Sequence, residues 1–102
     1  MESKIVDRTD LSRYEVVVDG DRIAGFAEYR LGEGEIAFTH TEVNPAFEGH
    51  GLASSLARFA LDDARERGLA VLPYCPYIKA WIAKHPEYTD LVPADSRDYF
   101  GL

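Results

Sequence analysis

Three stretches in the first half of the chain alternate apolar or β-branched residues with polar ones. They run from Arg13 to Val18, Ile23 to Leu31 and Ile36 to Val43, separated by Asp19-Gly20-Asp21 and Gly32-Glu33-Gly34. A period of two predicts strands, and connections this short predict an antiparallel meander in which consecutive strands pair directly. Gly25 interrupts the second strand and marks a candidate bulge.

The period changes from His50 to Arg67. Leu52, Leu56, Phe59 and Ala60 recur at spacings of three and four, which predicts a helix with one apolar stripe facing the sheet. Asp63 and Arg67 form an i,i+4 pair, and Gly68 is placed to end the helix. Leu69 to Leu72 predicts a short buried strand. Pro76 suits the first turn of a second helix, whose Ile78, Trp81, Ile82 and His85 share one face before Pro86 stops it. Leu91-Val92 predicts an edge strand. Together these elements give an α/β chain of the α+β kind, a mostly antiparallel mixed sheet with helices packed on it. With 102 residues and no linker, repeat or low-complexity tract, residues 1–102 are expected to form one domain.

Charge and cysteine use narrow the function classes. Eleven Lys and Arg against eighteen Asp and Glu give a formal net charge of -7, which argues against a nucleic-acid surface and is compatible with a basic substrate. The lone cysteine, Cys75, excludes an internal disulfide and suits a reducing compartment. The start, Met1-Glu2-Ser3-Lys4, is polar, and no run approaches the ~20 apolar residues of a membrane span. The expectation is a cytoplasmic protein without membrane or nucleic-acid partners. His40, His50, His85 and Cys75 match no compact ligand pattern, so no metal site is expected.

Val43-Asn44-Pro45-Ala46-Phe47-Glu48-Gly49-His50-Gly51-Leu52-Ala53 joins a predicted strand to a predicted helix through two close glycines. Such a junction exposes N–H groups at a helix start, where a phosphate is stabilised by hydrogen bonds and the helix dipole. It lacks the Lys-Ser/Thr of a Walker loop and the third glycine of a dinucleotide fingerprint. Taken alone, it is equally a turn that merely starts a helix.

The segment around it resembles the acetyl-coenzyme A signature of the GCN5-related N-acetyltransferases, in which Gln or Arg, two free positions, Gly, one free position and Gly or Ala succeed one another. Gly51 and Ala53 match; Glu48 stands where Gln or Arg is customary, removing one polar or cationic contact near a pyrophosphate. Phe38-Thr39-His40-Thr41-Glu42-Val43, Pro73-x-Cys75-Pro76-Tyr77 and His85-Pro86-Glu87-Tyr88 are similar to the small, truncated, single-domain branch of that superfamily, over roughly residues 12–92. The resemblance implies the acyl-coenzyme A N-acyltransferase fold and acetyl-coenzyme A as acetyl donor. It also implies a pyrophosphate cradle at Gly49, His50, Gly51, Leu52 and Ala53, with pantetheine along the strand ending near Val43, where two strands splay.

Acetyl transfer to an amine needs a neutral nucleophile and protonation of the leaving thiolate. His40 and Glu42 stand two apart on one strand and are candidate bases. Cys75, at the mouth of the second helix, is a candidate acyl carrier with His40 as its base if the fold joins them, or else a binding or core residue. The resemblance implies a tyrosine as thiolate proton donor, with Tyr77 and Tyr74 nearby. His85 reads as a packing or capping residue. The expected activity is N-acetyl transfer to an amine-bearing small molecule or protein, by a monomer or weak homodimer. The alternative is a non-catalytic acyl-coenzyme A binding or acyl-carrying module; a purely structural interaction protein is a third reading.

Overall fold

A computed structural model describes all 102 residues. Five strands form one sheet: β1 (Ser3–Arg8), β2 (Arg13–Val18), β3 (Arg22–Gly32), β4 (Glu35–Val43) and β5 (Ala70–Pro73). They lie in the order β1-β2-β3-β4-β5; the first four are antiparallel neighbours and β5 runs parallel to β4. The parallel return is made through α1 (Leu52–Glu66), as a crossover requires. After β5 come α2 (Pro76–Lys84), two 3-10 turns and the short α3 (Arg97–Phe100). The predicted meander, both helices and the fourth predicted strand are present. β1 is an additional edge strand, and Leu91-Val92 is not a strand: Leu91 ends the 3-10 turn Pro86–Leu91, and the Val92 N–H bonds back to Thr89 O at 3.0 Å.

Two bulges decide which side chains face which way. On β3 the pairing shifts at Ala24, next to the predicted position Gly25, since Val16 opposes Gly25 while Val17 opposes Ile23. On β4 Thr39 is the inserted residue, because Tyr29 opposes Phe38 while Glu28 opposes His40. An inserted residue reverses the alternation beyond it. Ile36 and Phe38 therefore point into the core, as Thr41 and Val43 do beyond the bulge, while His40 and Glu42 point out of the opposite face.

The core lies between the sheet and the helices. Leu52, Leu56, Ala57, Ala60, Leu61 and Ala64 form the buried stripe of α1 and meet Tyr14, Val16, Ile36, Phe38 and Val71, all fully buried. Phe59 does not belong to this stripe: it is 42% exposed and meets the edge of the Tyr14 ring. Gly68, with φ +68, ends α1, and the Leu69 N–H bonds back to Ala64 O at 2.9 Å, closing a Schellman-type cap. A polar network pins this end of the helix to the sheet. Tyr14 donates to Asp63 and Tyr29 donates to Asp7, both at 2.6 Å, and Arg67 lies 3.3 Å from Asp63 and 3.7 Å from Asp7.

Candidate active site

The chain leaves β4 through Asn44, whose side chain accepts from the Ala46 N–H at 2.9 Å and starts a 3-10 turn over Pro45–Phe47. Gly49 and Gly51 then take φ of +85 and +71, the left-handed conformation that costs glycine nothing. No atom lies within 4 Å of where a Cβ would sit on either, so backbone conformation rather than local crowding calls for glycine. Gly51 is the N-cap of α1. The N–H groups of Gly49, His50, Gly51, Leu52, Ala53 and Ser54 bond to no protein acceptor; the next, Ser55, donates to Gly51 O at 3.0 Å. Beside them lies a depression of about 230 Å³, lined by Val43, Phe47, Glu48, Gly49, Gly51, Leu52 and Ala53. Its lining contains no lysine or arginine and one acid, Glu48. The cradle is thus built from main-chain donors and a helix end, the arrangement suited to a phosphate.

From this cradle a cleft follows the free edge of β4. β4 and β5 pair from Glu35–Ala70 to Phe38–Pro73, and the Cys75 N–H adds a bond to Phe38 O at 2.8 Å. Beyond that point β4 continues to Val43 with no strand on that side, so the two chains part. Cys75 sits at the parting as the N-cap of α2, 2% exposed, with its thiol donating to Thr41 Oγ1 at 3.4 Å. Tyr77, in the first turn of α2, is partly exposed. Burial first, and the neighbouring Cys75 sulfur second, raise its hydroxyl above the usual phenol range, so it stays protonated at neutral pH. Tyr74 packs its ring 5.2 Å from that of Phe100 and lines a groove between β5 and α3.

His40 and Glu42 are brought together, 3.2 Å between Nε2 and Oε1, and both are more than half exposed. They stand on the face of β4 opposite Thr41. Cys75, which touches Thr41, is therefore separated from His40 by the sheet itself, and the conditional pairing of His40 with Cys75 does not form. His50 is exposed in the cradle loop. His85 packs as expected, its ring stacked 3.7 Å from the Trp81 ring with Nδ1 2.7 Å from Trp81 O. No group of three His, Cys, Asp or Glu side chains comes together in a metal-holding arrangement, and no helix is long and apolar enough to cross a membrane.

Two residues of the region escaped the sequence reading. Thr41 reaches the Cys75 thiol only because the bulge at Thr39 turns it inward, a displacement that no sequence period announces. Ser54, the third residue of α1, accepts from Trp81 Nε1 at 2.9 Å, which leaves its own hydroxyl proton free near the cradle. Its place one residue past Gly-x-Gly-Leu-Ala was the available signal.

Residues 13–91 match the family described as GCN5-related N-acetyl-transferase. Protein NATD1 of Xenopus tropicalis is 36% identical over 66 residues, covering 65% of this chain and 60% of that protein. Its counterpart in Homo sapiens is also 36% identical over 66 residues, or 58% of its length. The chain thus aligns with about three-fifths of these relatives. Among solved structures, a GCN5-like protein from Staphylococcus aureus superposes with a TM-score of 0.66 at 24% identity, covering 90% of this chain and 87% of that one. A ribosomal-protein alanine N-acetyltransferase from Escherichia coli gives 0.54 at 19% identity, covering 70% and 42%. Both structures share the fold.

Proposed function

The chain belongs to the GCN5-related N-acetyltransferase family, and on that premise we propose that it transfers an acetyl group from acetyl-coenzyme A to an amine. The observation that carries this reading is the run of unpartnered N–H groups from Gly49 to Ser54, set beside the parting of β4 from β5. Those donors and the positive end of α1 suit a diphosphate. Glu48 opposes the same charge, so the main chain and the Ser54 hydroxyl carry the binding. The unpaired edge of β4 from Thr39 to Val43 offers its amides to an extended pantetheine arm.

Acetyl-coenzyme A, when bound, supplies the thioester acetyl group. Tyr77, held neutral by burial, gives its hydroxyl proton to the departing sulfur. His40, whose Nε2 lies 3.2 Å from Glu42 Oε1, stands on the side of β4 away from Cys75 and takes the proton of an acceptor ammonium that approaches from that side, where the unpaired edge of the strand leaves the cleft open to both faces. Cys75 is buried, directed at Thr41 and cut off from His40, so we assign it to the wall of the cleft and give it no acetyl-carrying role.

The test is acceptor-dependent release of coenzyme A, followed with a thiol reagent across a panel of amines. Tyr77→Phe is expected to lower turnover by about 10²-fold, the usual scale for a lost general acid, with acetyl-coenzyme A affinity unchanged. Saturable acetyl-coenzyme A binding without release in any amine would replace transfer by the non-catalytic binding module.

A further inference from the structure

The transfer chemistry leaves unused the groove between β5 and α3. On β4 and β5 the residues buried in the core beneath α1 are Ile36, Phe38 and Val71, so their neighbours Glu35 and Leu72 point out of the opposite face of the sheet. The C-terminal stretch from Pro93 to Phe100 folds back beside them, and together they enclose about 510 Å³. None of the residues lining this groove lines the diphosphate cradle. Three aromatic rings meet in it. Tyr74 lies at 70° to Tyr99 and 72° to Phe100, with centroids 6.4 and 5.2 Å apart, and Tyr99 stands at 88° to Phe100 at 4.9 Å. The rings thus form a corner rather than a stack, and Tyr74 and Tyr99 are 52% and 77% exposed. Arginines lie over the rings of Phe26, Phe47, Trp81 and Tyr88, but no cation lies over these three. The charged residues of the groove are Glu35 and Asp95. Every ion pair of the molecule is formed elsewhere, so both carboxylates lack a cationic partner. Arg97, the nearest arginine in sequence, turns its Nε to Val92 O at 3.0 Å.

The two carboxylates set the sign of the ligand, and the aromatic corner sets its hydration. A ring attracts a cation lying within about 6 Å of its centroid, most strongly where the cation gives up its water. A primary ammonium brings three N–H donors that must be re-satisfied in the groove, whereas a trimethylammonium brings none and meets the rings and Leu72 with methyl groups. We propose that the groove binds a trimethylammonium group, the chemistry shared by free choline and by a trimethyl-lysine side chain. Its methyls rest against Tyr74, Tyr99 and Phe100, and Glu35 and Asp95 balance its charge. A quaternary nitrogen has neither a proton to lose nor a lone pair to acylate, so this ligand is held and not acetylated. The site is therefore separate from the acceptor site and independent of the transferase reading. The same two acids disfavour a zwitterion that carries its own carboxylate beside the nitrogen.

The test is an amide ¹H–¹⁵N titration with choline, blocked trimethyl-lysine, and three relatives of choline. Ethanolamine keeps the charge without the methyls, 3,3-dimethyl-1-butanol keeps the shape without the charge, and glycine betaine adds a carboxylate. Choline is expected to shift residues 72–74 and 95–100 saturably, about fivefold or more tightly than each relative, the scale of one exposed cation–π contact. Blocked trimethyl-lysine is expected to shift the same residues, and its rank against choline tells a protein-borne source from a free one. Tyr99→Leu should weaken choline about fivefold and Tyr99→Phe should not, since the ring and not the hydroxyl makes the contact; Tyr99 is mostly exposed, so both variants keep the fold. Glu35→Gln should weaken choline, whereas Asp21→Asn, in the turn between β2 and β3, should change nothing. Dimethylbutanol as tight as choline would reduce the groove to an apolar patch, and ethanolamine as tight would leave charge alone. Either result, or indifference to Tyr99→Leu, would overturn the proposal.

Discussion

Replacing Gly25 by alanine tests how closely β3 and β4 approach behind the site. A Cβ on Gly25 would lie 2.6 Å from Glu42 O, 3.0 Å from a Val43 methyl and 3.1 Å from Val43 Cα. The first contact is with backbone, which cannot rotate aside, so β4 must move away by several tenths of an ångström or more. The Asn44 N–H bond to Ala24 O, 2.7 Å, holds the strands together at the same point and resists that movement. Overpacking of this kind costs about 1–3 kcal/mol. At about 4–8 °C per kcal/mol for a chain of this size, the melting temperature should fall by roughly 5–20 °C. Urea unfolding, with its slope unchanged, measures the loss, and amide shifts should change chiefly at residues 24–27 and 41–44. A loss below about 0.5 kcal/mol, the scale of an ordinary surface change, with Glu42 and Val43 unshifted would refute the reasoning.

Glu48→Gln removes the one acid lining the cradle and should tighten acetyl-coenzyme A severalfold, on the order of 0.3–1 kcal/mol at low salt; weaker binding, read calorimetrically, would mean that Glu48 makes a favourable contact. Tyr14→Phe removes the hydroxyl that donates to Asp63 and should cost roughly 1.5–3 kcal/mol in urea unfolding; an unchanged midpoint would show that Arg67 alone satisfies Asp63. Burial first, then the bonds to Asp63 and Asp7, push Tyr14 and Tyr29 well above the ordinary phenol value of 10.0. Their stabilisation is therefore complete below pH 10 and is lost as pH rises toward the folded-state values. An alkaline scan of the melting temperature should fall above pH 10, less steeply in Tyr14→Phe, and parallel curves would contradict that coupling.

The meander and α1 were legible because each buries one side, so alternation or a 3.6-residue period survives in the sequence. β1 was not, since Ile5 and Val6 are its only apolar residues and its pairing with β2 supplies the rest. Leu91-Val92 misled because two buried apolar residues fit a strand or a turn equally, and the flanking Pro86 and Pro93 favour the turn. Phe59 followed helical spacing yet fell at the margin of the stripe, where the small residues Ala57, Ala60 and Ala64 let α1 lie close to the sheet. The cradle glycines were readable because their positive φ restricts the residue that can stand there. The geometry of the cleft was not. Thr39 is a polar, exposed insertion with no sequence mark, yet it turns Thr41 toward Cys75 and sends His40 and Glu42 to the other face.

The central claim, that the loop from Gly49 to Ser54 seats acetyl-coenzyme A, is tested most directly by calorimetric titration of the wild-type protein and Gly51→Trp, with coenzyme A and ATP as controls. No atom lies within 4 Å of where a Cβ would sit on Gly51, so the indole occupies the cradle, and the φ of +71 adds local strain confined to the loop. Saturable 1:1 binding selective for the coenzyme A species, abolished in a variant that stays folded, is the predicted result. Equal binding by both proteins, or none by the wild type, would contradict the account.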